Sequence, residues 1–256
     1  MSNDTSRLNG HQPPQVTAKQ IGEYCLVTGG LGYVGSAIVR RLLAAGCKVR
    51  IFDVVERETP ENVELIVGDL RDYDALLKAC EGIDTVFHAA ALINTMEIAR
   101  PSIRRMVYDV NVTGAWNVAR AASEAGVKAM VHTSTFCVVL DRDGLHDCDE
   151  SLPYATKAPD LYTVTKIEAE RRVLGMDRKG GLRTCALRPG GVWGSSVDCV
   201  MIRGFLNELA KGKFKVRIGN GKATMDNTHV ENLVDAQMLA AKTLRSTPEK
   251  LSLIHI

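Results

Sequence analysis

The chain has 256 residues, enough for one large domain or two small ones, and its 45% hydrophobic and 24% charged content is ordinary for a soluble globular protein. A formal charge of +2 argues against a nucleic-acid partner; no apolar run reaches a membrane span and no signal-peptide core is visible, so a cytoplasmic location is expected. Seven cysteines (Cys25, Cys47, Cys80, Cys137, Cys148, Cys185, Cys199), odd in number and without a C-x-x-C pair, read as reduced structural thiols rather than a zinc or disulfide framework.

Residues 1–20 are polar, include Pro13 and Pro14, and are expected to form a mobile leader. Order is predicted from Ile21. Residues 24–28 read as a short buried strand, followed by G-x-x-G-x-x-G at Gly29, Gly32 and Gly35 and by a helix with Val34, Ala37, Ile38 and Leu42 on its apolar face. The first glycine lets the chain turn, the second lets backbone approach a pyrophosphate, and the third lets helix pack on strand, with the helix N-terminus facing the phosphates. The next apolar run, Val49 to Phe52, ends at Asp53, where a carboxylate can accept hydrogen bonds from an adenosine ribose. Residues 63–67 form a third predicted strand ending in Asp69 and Leu70; Asp69 can meet the adenine or cap the helix predicted over 73–80.

A fourth strand over 85–88 runs into Ala89, Ala90 and Ala91, small enough to let backbone lie against a cofactor. Residues 101–125, including Asn111, are predicted as one long helix stopped by Gly126, and residues 129–133 as a fifth strand ending at Thr133. This alternation implies right-handed βαβ units and a doubly wound parallel sheet. The acidic stretch with Asp141, Asp143, Asp147, Asp149 and Glu150 lacks calcium-loop spacing and reads as a solvated loop, with no metal. A helix is predicted from Tyr162 to about residue 177, and a sixth strand over 184–187 leads into Arg188, Pro189 and Gly190. Residues 189–250 are expected to form a smaller substrate-side region with a helix over 201–211, a strand over 214–218 and a helix over 230–244. Lys211, Lys213, Lys215 and Arg217 fall on one solvated strand face.

Tyr162 and Lys166 stand four apart, so on a helix they share a face. An ammonium beside a phenol favours the phenolate, and the pair follows a strand edge with hydroxyls at Ser134 and Thr135.

Taken together, Thr28-Gly29-Gly30-Leu31-Gly32-Tyr33-Val34-Gly35, Asp69-Leu70, His88-Ala89-Ala90, Asn111-Val112-Thr113-Gly114, Thr133-Ser134-Thr135, Tyr162 to Lys166, Leu187-Arg188-Pro189 and His229 to Ala236 resemble the extended short-chain dehydrogenase/reductase superfamily, and within it the 3β-hydroxysteroid dehydrogenase-like family. The resemblance covers residues 24–244. It implies a Rossmann domain over residues 21–188 and an oxidoreductase acting on a secondary alcohol of 3β-hydroxysteroid or sterol type. Tyr162 takes the hydroxyl proton while hydride passes to nicotinamide, Lys166 holds the nicotinamide ribose, and Thr135, with Ser134 as its neighbour and substitute, bonds the substrate oxygen. It also implies cofactor contacts from Tyr33, Val34, Leu70, Ala89, Ala90, Asn111 and Thr133, with Arg188 and Pro189 lining the nicotinamide side. His229 contacts the cofactor region or starts a helix. Asp53 favours NAD over NADP by repelling a 2′-phosphate.

Other readings keep the fold and change the substrate, to β-keto acids, flavonoid-type ketones or nucleotide sugars; another is a non-catalytic NAD(P)-sensing module. Relatives imply a homodimer through the helices near 103–125 and 162–174. The last six residues, Leu251 to Ile256, resemble a translated sequencing-adaptor end, so a non-native tail and an incomplete substrate region are expected, and membrane contact is left open for a longer parent.

Overall fold

Short aliphatic runs alternating with amphipathic helices force the chain to cross back over one sheet after each strand, which makes neighbouring strands parallel. The computed structural model describes residues 14–93, 100–141, 148–194, 200–212, 220, 224, 226–247 and 253–255. The sheet-forming elements are β1 (Tyr24–Thr28), β2 (Lys48–Asp53), β3 (Val63–Val67), β4 (Thr85–His88), β5 (Ala129–Thr133), β6 (Arg183–Arg188) and β9 (Leu253–His255), in the order β3-β2-β1-β4-β5-β6-β9, all parallel. Strand order reverses between β1 and β4, and the ends of those strands open the crevice in which such sheets hold ligands. The edge strand β9 lies in the hexapeptide that carried no predicted strand; it pairs Leu253 with Ala186 and His255 with Arg188.

Two layers cover the sheet because alternate residues of each strand point to opposite faces. On one face Phe87, Val131, Cys185 and Leu187 pack with Ala37, Ile38 and Leu42 of α2 (Tyr33–Ala44) and with Leu233, Val234, Met238 and Leu244 of α8 (Val230–Ser246). On the other, Leu26, Phe52, Val86 and Met130 meet Leu76 of α3 (Tyr73–Cys80), Val118 and Ala122 of α5 (Ala115–Glu124), and Ala169 and Val173 of α6 (Leu161–Leu174). Asp160 caps α6 by accepting from Thr163 N at 2.7 Å.

Several expectations are corrected. The leader is not wholly loose: α1 (Ala18–Ile21) buries Ile21, and Val16 joins the same core, because both are apolar residues set against α2 and α8; residues 1–13 lie outside the described residues. The helix predicted over 101–125 is three segments in series: α4 (Pro101–Tyr108), a π-helical stretch at Asp109–Gly114, and α5. Residues 189–250 are not one region, since α8 closes over the main sheet. Beside it β7 (Gly191–Trp193) and β8 (Asn227–His229) form a separate parallel pair, with α7 (Val200–Ala210) between them in the chain and α8 directly after β8. The predicted strand over 214–218, with Lys213, Lys215 and Arg217, lies outside the described residues, as do Asp143, Asp147 and Cys199, while Lys211 pairs with Glu208 at 2.9 Å. No disulfide joins the described cysteines, and no described helix is long and apolar enough to cross a membrane.

Candidate active site

The turn between β1 and α2 is built for close approach. Gly29 takes φ +69°, and a Cβ there would stand 2.7 Å from the Ala90 Cα, so Ala90 backs the turn. A Cβ on Gly35 would overlap the Gly29 carbonyl, which is why helix and turn can touch only with glycine there. Gly32 is the N-cap of α2 and carries no side chain to bond the first-turn amides, so that end of the dipole is uncapped by side chains. Tyr33 and Val34 open the helix, and Ala89 N bonds Thr28 O at 3.1 Å, bringing the ends of β1 and β4 together. Asp53, half-buried at the end of β2, accepts from Leu31 N at 3.0 Å and Val55 N at 3.3 Å, which aims its carboxylate at the turn. These features fit a dinucleotide: a glycine cradle for its pyrophosphate and a carboxylate beside its ribose.

Asp69 and Leu70 stand next along the edge. Asp69 does not cap α3; Asp72 does, accepting from Ala75 N at 3.0 Å. Asp69 binds Arg71 through two bonds of 2.9 and 2.6 Å, and that guanidinium holds its carboxyl below the ordinary value. Leu70 turns into the core under Gly114, and its carbonyl accepts from Asn117 at 3.1 Å.

Thr135 follows β5, and Tyr162 and Lys166 lie a turn apart on α6, which reaches the end of that strand through Lys166. Thr135 is nearly buried and accepts from Cys137 N at 3.3 Å, at the start of a single 3₁₀ turn, Phe136–Val139. Lys166 donates to Thr133 O at 2.7 Å, which sets the ammonium at the strand end, and burial pulls its pKa down to about 8 while Glu170 opposes that. The expected lowering of the Tyr162 pKa is corrected. Burial, with Cys137 and Asp160 adding, pushes the phenol above its ordinary value. Asn111 is buried in the π-helical stretch. Its Oδ1 accepts from Leu92 N at 2.7 Å and its Nδ2 donates to Leu92 O at 3.0 Å and Thr165 Oγ1 at 3.1 Å, so it ties the turn after β4 to α6.

Other assignments change. Arg188 does not line the nicotinamide side: its guanidinium is 1% exposed and is held by Glu170, since a buried cation must be paired. Pro189 is buried, and its carbonyl accepts from Phe136 N at 3.0 Å. Ser134 does not stand in for Thr135, because its hydroxyl is taken up by the buried Glu170 carboxylate. His229 caps α8, accepting from Glu231 N at 3.3 Å, with Trp193 edge-on at 5.0 Å. Asp141 accepts from Lys157 N, and Asp149 closes a turn onto Ser151. Sequence reasoning missed Glu170, Tyr154 and Gln237, whose amide donates to Thr133 Oγ1 at 2.8 Å. Glu170 had a signal: it follows Lys166 by the same four residues that separate Lys166 from Tyr162. Behind Lys166, His88 and His132 stack at 5.1 Å; Thr28 engages His88 Nδ1 at 2.6 Å, and neither His132 nitrogen has a partner among the described residues.

Residues 26–254 match the family model for the 3-beta hydroxysteroid dehydrogenase/isomerase family. A 3-beta-hydroxysteroid dehydrogenase of Mycolicibacterium neoaurum is 40% identical over 86% of this chain and 61% of its own length. A decarboxylating sterol-4-alpha-carboxylate 3-dehydrogenase of Bos taurus is 38% identical over 86% of the chain and 60% of its own length. This chain thus spans about three fifths of the curated relatives it matches. Among solved structures, MoeE5 in complex with UDP-glucose and NAD aligns with a TM-score of 0.72 and 30% identity, over 91% of this chain and 75% of that one.

Proposed function

The chain belongs to the 3-beta hydroxysteroid dehydrogenase/isomerase family, and from that premise we propose that it forms the cofactor-binding and catalytic part of an NAD-dependent dehydrogenase acting on a secondary alcohol of a steroid or sterol. The observation that supports this reading is the Lys166 ammonium, one helical turn after Tyr162, held on the carbonyl of Thr133, which ends β5 two residues before Thr135 in the chain. NAD, when bound, supplies the hydride acceptor. Gly29, Gly32 and Gly35 cradle its pyrophosphate, Asp53 bonds the adenosine ribose and repels a 2′-phosphate, and Lys166 bonds the nicotinamide ribose.

Thr135 donates to the substrate oxygen and so holds the alcohol against Tyr162. Tyr162 takes the hydroxyl proton as the carbon becomes a ketone. Its phenol is held protonated by burial in the ligand-free chain, so proton uptake requires the positive charge of Lys166 and of the bound nicotinamide nearby. The same reading places a second copy of the chain against α4, α5 and α6, where Met106, Tyr108, Trp116 and Val164 are exposed. Light scattering at micromolar concentration checks that, with a monomer as the contrary result.

The test of function is formation of reduced nicotinamide from NAD with a panel of 3β-hydroxysteroids, 4-carboxysterols and UDP-glucose, beside Tyr162→Phe. The expected outcome is steroid or sterol turnover that drops by about 10²-fold or more in the variant, with NAD affinity kept. Turnover of UDP-glucose alone would move the substrate to nucleotide sugars, and turnover unaffected by Tyr162→Phe would remove the catalytic assignment.

A further inference from the structure

Tyr162, Lys166 and Glu170 follow one another at four-residue steps on α6, so a single stripe carries all three. The first two serve the reaction proposed above. Glu170 has no part in it, yet it is fully buried, and three other segments converge on its carboxylate. Arg188 of β6 donates to Oε1 through Nη2 at 2.6 Å and through Nε at 3.1 Å; Ser134 donates to Oε2; Tyr154 donates to Oε1 at 2.9 Å. Backbone bonds from Ser134 N to Leu187 O at 2.7 Å and from Phe136 N to Pro189 O at 3.0 Å fasten the same turn to β6 on both sides of Thr135. Beside the Lys166 bond to Thr133 O, Glu170 is thus a second tie between the Thr135 turn and α6, and the one that also takes in β6.

A buried ion pair alone is a poor stabiliser, since desolvation offsets attraction. Here the carboxylate also accepts from two hydroxyls, which makes the arrangement a joint between elements rather than an isolated pair. Lys166 stands one turn from Tyr162 and one turn from Glu170 on its own helix and is flanked by His88 from β4 and by His132 from β5, with Arg188 of β6 behind Glu170. Both imidazoles are kept neutral by burial, so Glu170 is the anion that opposes the desolvation of Lys166.

We propose that Glu170 is a positioning residue, which locks the Ser134–Thr135 turn to the Tyr162–Lys166 stripe through Arg188, Ser134 and Tyr154 and sets an anion one turn from the Lys166 ammonium at the strand end. The assignment rests on the roles given above to Thr135, Tyr162 and Lys166. Glu170→Gln preserves shape and removes the charge. In the ligand-free chain, the Lys166 ammonium followed by NMR on labelled lysine should then titrate lower by about one unit or more. In steroid turnover, kcat should fall about tenfold or more while KM for the alcohol changes little, the mark of a misplaced reacting group rather than lost binding.

Glu170→Gln removes the carboxylate from beside the buried Arg188 guanidinium, so Glu170→Gln/Arg188→Gln is the companion that removes both charges of the pair together; it should keep the lowered kcat. Should both fail to fold, Ser134→Ala decides, cutting the Thr135 turn from Glu170 without altering charge: about fivefold or greater loss of kcat with Lys166 titrating as in the unaltered chain is expected. A folded Glu170→Gln or double variant with Lys166 titration unmoved and kcat within twofold, or wild-type kcat in Ser134→Ala, overturns the proposal. If the unaltered chain turns over no steroid or sterol, the functional reading falls instead, and the Lys166 titration still decides the role of Glu170.

Discussion

A methyl group at position 35 would run into the Gly29 carbonyl, so Gly35→Ala forces the first turn of α2 off the glycine turn. We expect a loss of about 1–3 kcal/mol in urea unfolding, together with weaker NAD binding by calorimetry; unchanged values in both would refute the packing argument. The stacked pair His88 and His132 makes a pH prediction. Burial holds both imidazoles below the ordinary 6.5, His88 at about 3. Below pH 6.5 the unfolded chain takes up protons that the folded chain refuses, so stability is full above that value and falls as pH falls towards 3. The slope is about 1.4 kcal/mol per pH unit for each histidine. Unfolding measured between pH 7 and pH 4 should show it, and His132→Phe should roughly halve it; an equal slope in the variant would contradict the burial argument. The glycines were legible in the sequence because their constraint is local, a turn set by spacing. The direction of Arg188 was not, because its partner is placed by the docking of α6 on β6, and a motif read along one strand does not report what lies across it.

Among the elements, the π-helical stretch Asp109–Gly114 ties the turn after β4 to α6. It sets Asn111 inward, where one side chain satisfies both backbone groups of Leu92 and also reaches Thr165. Asn111→Ala should cost about 2 kcal/mol, because it leaves the Leu92 N–H and C=O without their partner, and amide exchange at Leu92 should accelerate; protection kept at that amide would count against the assignment. Apolar periodicity predicted a single helix over 101–125, and the axis does continue. An extra residue in one turn barely disturbs that period, so the irregularity was hidden. The weak helix formers Asn111, Thr113 and Gly114, all within four positions, were the available sign. The strands fared better: β1 to β6 stand where buried runs between turn residues put them, because parallel strands buried on both faces leave long apolar stretches.

At the scale of the whole molecule, α8 decides how the two halves of the chain are joined. Its apolar stripe was evident, but amphipathicity says only that a face is buried and not against what, which is why residues 189–250 were expected to stand apart. Glu231 and Asp235 of α8 grip Arg41 of α2, at 2.8 Å for the first, beside a shared apolar seam. Arg41→Ala should lower stability by about 2 kcal/mol, measured by urea unfolding, by removing the ion pair to the buried Asp235 and the one to Glu231; no change would assign the seam to apolar packing alone. This closure also imposes an order in time. On a ribosome the chain emerges from its N-terminus, so β1, β4, β5 and β6 are all outside the tunnel before residues 230–246 have been made. Until then the sheet face bearing Phe87, Val131, Cys185 and Leu187 stands partly open to water, and the nascent protein is a sticky half-covered sheet waiting for α8.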